Sequence, residues 1–244
     1  MSSQSELAKL TKEIKNQANK AQAAILQRFF KTKPGQYGAG DRFLGLKVPL
    51  QRELARKYSN LDLKSIQALL NSPFHEFRLI GLLILVEQYQ LASDLKSKSR
   101  IVAFYLKNTK AINNWDLVDL SVYKIIGDFL WLEEAAGRPI QPLLDKLAGS
   151  KNIWERRMAI VATYAFIKNG QAKETFRLAR KLLQDEHDLL HKAVGWMLRE
   201  VGKRVSREQL LAFLDANYKR LPRTALRYAI EHLRPSEREH YLLK

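Results

Sequence analysis

Within Asn113-Asn-Trp-Asp-Leu-Val-Asp119 an indole and two carboxylates stand close together. On a helix Trp115 and Asp119 are i and i+4, so one face carries both, and Asp116 lies beside that face. An indole ring face attracts a cation through its quadrupole and a carboxylate adds charge, so the pair is suited to stabilising a positive centre. The same residues also fit a plainer role, with Trp115 in the core and the aspartates at a helix start capped by Asn113 or Asn114. Spacing alone leaves both readings open. Asn152-Ile-Trp-Glu-Arg-Arg157 and Lys192-Ala-Val-Gly-Trp196-Met-Leu-Arg-Glu200 likewise join an aromatic ring to cations. Trp154 reads as core. Trp196 follows Gly195, and the missing side chain there is expected to leave one ring face open.

Other chemistries lack their residues. The chain has no cysteine, which excludes disulfides, thiolate zinc sites and a cysteine nucleophile. His187 and His191 stand four apart, but no third ligand and no HExxH pattern accompanies them, so no metal site is expected. The glycine-rich stretch from Lys33 to Pro49 is followed by no GK[ST] and preceded by no strand, and reads as a plain connection between helices rather than a phosphate cradle.

The elements that must position these residues are helical. Leu7, Leu10 and Ile14, then Ile66, Leu69 and Leu70, then Leu210, Leu211 and Leu214 recur at helical spacing. Ser72-Pro73, Arg138-Pro139 and Leu221-Pro222 are read as helix starts, and Ser206 with Gln209 as a capping box. The fold class expected is all-α, in a single domain over 1–244. The longest apolar run, Leu79–Val86, is too short to span a bilayer, and the polar N-terminus has no leader-like stretch, so a soluble, cytoplasmic protein is expected.

Lys plus Arg number 42 against 25 Asp plus Glu, a formal charge of +17. A domain this basic is expected to meet a polyanion, with nucleic acid first. Arg78, Arg157, Lys192 and Arg223 each stand near a helix start ahead of small and aliphatic residues, at intervals of roughly 30 to 45 residues once the first gap is halved, as in HEAT-like solenoids. A cation repeated in register suggests a curved phosphate-binding groove; the competing reading pairs these bases with nearby acids such as Glu76 and Glu155.

In order along the chain, NNWDLVD, NIWERRMAIV, AVGWMLREVGK and LPRTALRYAIEHL resemble the DNA alkylation repair family of HEAT-like-repeat glycosylases, over about Gln22 to Leu233. The resemblance implies a right-handed superhelical solenoid with a basic concave face that binds double-stranded DNA. It implies Asp119 as the catalytic carboxylate, Trp115 and Trp196 as sugar contacts, and Arg157 with its neighbour Arg156 on the DNA backbone. Lys192, Arg78, Arg223 and Arg227 are expected along the same face. Phe29 stands where family members can carry a tyrosine facing DNA, so a phenol hydrogen bond is expected to be missing. The implied activity is hydrolysis of the N-glycosidic bond of cationic N3- or N7-alkylpurines, without lyase activity, cofactor or metal, by a monomer, with the base still in or near the stack. A non-catalytic protein that binds damaged or branched DNA competes with this reading; a scaffold for acidic proteins or ribosomal RNA explains the charge but not the Trp/Asp pair.

Overall fold

The structure, a computed structural model, describes residues 3–243. Among these no strand forms; Arg42 and Phe74 make one isolated bridge. The chain divides into two compact units, 1–121 and 122–244.

The first unit holds α1 (Ser3–Asn16), α2 (Lys20–Phe29), α3 (Val48–Lys57), α4 (Leu63–Leu70), α5 (His75–Leu91), α6 (Leu95–Lys107) and α7 (Trp115–Asp119). Helix α5 is its axis. From Leu79 to Val86 it is apolar on every side and buried throughout, as a helix must be when neighbours surround it. Helices α3, α4, α6 and α7 pack on it. Leu10 and Ile14 of α1 are fully buried, as their spacing required. Truncating one such buried leucine costs on the order of 2–5 kcal/mol.

The second unit opens with a π-helical turn, Tyr123–Gly127, followed by α8 (Asp128–Ala135), α9 (Gln141–Ala148), α10 (Ile153–Ala162) and α11 (Tyr164–Lys168). Then come α12 (Lys173–Lys181), α13 (Asp188–Arg204), α14 (Arg207–Asn217), α15 (Arg223–Ala229) and α16 (Pro235–Leu242). Helix α13 is central here, packed by α10, α12, α14 and α15. Ser206 caps α14, accepting from the Gln209 amide at 3.1 Å. Two proline signals fall short of the helices they announce. After Ser72-Pro73, α5 begins only at His75, because Arg42 and Phe74 bridge in between; after Arg138-Pro139, α9 begins only at Gln141, with Pro142 in its first turn.

Candidate active site

Helix α7 is short, and its start is held from both sides. The Asn114 side chain accepts from the Trp115 amide at 2.8 Å, which makes Asn114 the N-cap, and its Nδ2 donates to Asp41 at 3.1 Å. Asp116 turns inward: Oδ1 accepts from the Leu117 amide and Oδ2 meets His75 Nε2, both at 2.8 Å. Trp115 and Asp119 remain half-buried on the helix face that their i, i+4 spacing defines. At the far end Ser121 Oγ donates to the Leu117 carbonyl at 2.5 Å and accepts from the buried Tyr105 hydroxyl at 2.8 Å. Burial first, then the nearby charge of Asp119, push the Tyr105 phenol well above its ordinary value.

Beneath α7 lies a buried ionic cluster. His75 Nδ1 is 3.0 Å from Asp41 Oδ2 while its Nε2 meets Asp116, so both ring nitrogens must donate, and only the imidazolium does that. Burial alone would disfavour that charge. The charge and hydrogen bond of Asp116, then those of Asp41, outweigh it and raise the His75 pKa to about 9. Burial likewise opposes the Asp41 carboxylate, but His75, Arg78 and Asn114 hold its pKa below the ordinary value. Neither His75 nor Asp41 stood out in the sequence, because their partners lie on distant segments.

The glycine-rich connection does more than join helices. Gly45 has φ +92°, and a Cβ there would fall 2.2 Å from the Asn19 carbonyl, so only glycine lets the strap lie this close to the start of α2. The strap then turns the amides of Leu44, Gly45 and Leu46 onto the buried Glu76 carboxylate, at 2.8–3.3 Å. From the same strap Tyr37 reaches Trp115: its hydroxyl accepts from indole Nε1 at 3.3 Å and donates to the Phe29 carbonyl at 3.4 Å. A phenol thus stands beside Phe29 after all, supplied by a loop residue. Phe30 stacks on Trp115, with centroids 5.2 Å apart and planes at 18°, and on Phe43 at 5.0 Å. Phe29, 61% exposed, sets its edge against both Phe30 and Trp115. These rings, with Asp119, His75 and Glu76, border a cavity of about 390 Å³.

In the second unit Trp154 is core, as expected. Trp196 is half-buried, tilted against Tyr164 at 6.1 Å. Gly195 also serves the packing of the helices. A Cβ there would lie 2.4 Å from the Ala225 carbonyl and 2.5 Å from Tyr228 Cβ, so the glycine permits α13 and α15 to pack closely.

Several of the repeated cations have partners within the protein. Arg78 is 6% exposed, with Nη2 2.6 Å from Asp41 and Nη1 donating to the Ser72 carbonyl, so it is a buried ion-pair partner. Arg157 is 5% exposed and donates to the Leu189 carbonyl, which ties α10 to the start of α13. Its first duty is therefore internal. Arg156 pairs with Asp185 at 2.6 Å, and Lys192 with Asp188 at 2.7 Å, one turn away. The acids that pair with Arg78, Arg156 and Lys192 thus include Asp41, Asp185 and Asp188. Arg223, which donates to the Leu242 carbonyl, and Arg227 are exposed on α15.

An all-helical chain presenting an indole and a carboxylate on one short helix, beside an aromatic cavity, is the class defined so far. The family model described as DNA alkylation repair enzyme matches residues 10–233, and the chain belongs to that family. No curated protein matches the chain. A solved structure, a predicted DNA alkylation repair enzyme from Enterococcus faecalis, superposes with a TM-score of 0.70. It is 18% identical, and the match covers 90% of this chain and 98% of that one, which shows a shared fold.

Proposed function

We propose that the chain is a monofunctional DNA glycosylase that hydrolyses the N-glycosidic bond of cationic N3- or N7-alkylpurines in duplex DNA, on stacked HEAT-like repeats. Alkylation makes the purine cationic, hence already a good leaving group. As the C1′–N bond breaks, its electron pair neutralises the base and positive charge passes to the deoxyribose. Water adds to C1′ and loses a proton, leaving a neutral alkylpurine and an abasic sugar. What such a reaction needs from the protein is a fixed anion and π-faces near the sugar, more than a proton donor for the base.

The observation that carries this reading is the pairing of half-buried Asp119 and Trp115 on one face of α7. Asp119 would stabilise the sugar cation and orient the water. Trp115 adds cation–π attraction of about 0.5–2 kcal/mol, with its ring plane set by Phe30 and its N–H held by Tyr37. The half-buried Trp196 is the second sugar contact in this proposal. No step requires a lysine nucleophile, so no strand cleavage is expected.

The test is release of 7-methylguanine from alkylated duplex DNA by wild type and Asp119→Asn. A preorganised charge is worth about 100- to 1000-fold in rate, so the variant should lose that much while still binding DNA. Equal release by both proteins refutes the assignment. Release by neither, with DNA binding intact, would favour the non-catalytic reading.

A further inference from the structure

Helix α7 has five residues, too few to hold its own geometry in water, so the placing of Trp115 must come from what packs around it. Leu117 and Val118 are fully buried and fix the depth of the helix. Apolar contact has no direction, however, and leaves rotation open. Direction comes from hydrogen bonds, and those at the start of α7 converge on one group.

Trp115 stands between Asn114 and Asp116, and the side chains of both turn down to the same centre. Asp116 Oδ2 accepts from His75 Nε2 at 2.8 Å. Asn114 Nδ2 donates at 3.1 Å to the same Asp41 oxygen that His75 Nδ1 meets at 3.0 Å. All four residues are buried, so water does not compete for these bonds. His75 reaches the indole by a second route. Its ring stacks on Phe43, with centroids 4.7 Å apart and planes at 23°, and lies 5.0 Å from Phe30, the ring on which Trp115 stacks. The backbone on either side of Trp115 and the ring behind its indole thus both rest on one imidazolium, carried by the buried axis α5.

Building on the glycosylase reading, we infer that His75 is a positioning residue: buried too deeply to meet DNA itself, it holds the Trp115 indole at the angle from which the ring face meets the deoxyribose. That angle matters to the chemistry. The attraction of an indole for a cation belongs to its ring face, and an indole turned edge-on loses it. Binding of the duplex depends on many contacts and the chemical step on this one, so the two should separate in a variant.

His75→Gln removes the ring and leaves one donating nitrogen where there were two. Measured well below the melting temperature, single-turnover release of 7-methylguanine at saturating enzyme should fall at least about tenfold, since a misplacement of about 1 Å can cost about 100-fold. Duplex affinity should hold. Leu10→Ala, a core truncation on α1, is the control for lost stability alone; it should lower the melting temperature and keep the wild-type rate. A wild-type rate in folded His75→Gln, or an equal fall in Leu10→Ala, overturns the inference and leaves the glycosylase reading standing. Should His75→Gln fail to fold, Asn114→Ser is read in the same way, because serine still caps α7 but lacks the amide that reaches Asp41. Should wild type release no base, the glycosylase reading falls, and the Trp115 indole N–H resonance, identified by its loss in Trp115→Phe, decides this one. A shift or broadening in His75→Gln or Asn114→Ser that Leu10→Ala lacks supports the positioning; a wild-type line in both overturns it.

Discussion

His75 shows how much one side chain can hold when both of its nitrogens are committed. Its pKa rises from the ordinary 6.5 to about 9 because Asp116 and Asp41 favour the imidazolium more than burial opposes it. A folded-state pKa above the unfolded one means stability fully present below about pH 6.5 and lost as the pH climbs through 9. The difference corresponds to about 3 kcal/mol. The melting temperature should therefore decline between those pH values and level off above them, and His75→Gln should flatten that slope. A wild-type melting temperature unchanged from pH 6.5 to 9 would contradict the ionic cluster. Asp119 lies half-buried on the exposed face of α7, and its replacement by Asn should cut base release while DNA binding persists.

At the level of elements, the packing of α13 on α15 depends on a residue with no side chain. Gly195→Ala puts a methyl group 2.4 Å from a backbone oxygen, and backbone does not yield as a flexible side chain would. The helices must separate, at about 1–3 kcal/mol; a urea midpoint equal to wild type would argue against that contact. Helix positions of this kind mark the limit of legibility in the chain. Helical periodicity found the all-α class, and i, i+4 spacing put Trp115 and Asp119 on one face, because both depend on near neighbours. What escaped depends on distant ones: Asp41 and Asp116 reach His75 across 34 and 41 residues, and Tyr37 reaches Trp115 across 78. The same blindness hid the partner of Arg78, since a cation repeated in register looks alike on paper whether it faces water or a buried aspartate.

For the molecule as a whole, a charge of +17 should make DNA affinity fall steeply with salt, by about 0.9 in log–log slope for each phosphate neutralised. Arg223→Ala and Arg227→Ala, on exposed positions of α15, should each flatten that slope by about one unit if they meet phosphate. Arg78→Ala should leave the slope alone and lower the melting temperature instead, because it strips a buried carboxylate of its partner. Slopes measured for the three variants separate the surface cations from the internal one. Burial also sorts charge by sign. Among the described residues Asp41, Glu76, Asp116, Glu174 and Glu200 are withdrawn from solvent, against Arg78 and Arg157 among the strong bases. With these five acids and two bases set aside, the formal charge on the remainder rises from +17 to +20. Folding thus sharpens the protein's polarity: the folded chain offers an approaching polyanion a more basic exterior than its amino-acid formula declares.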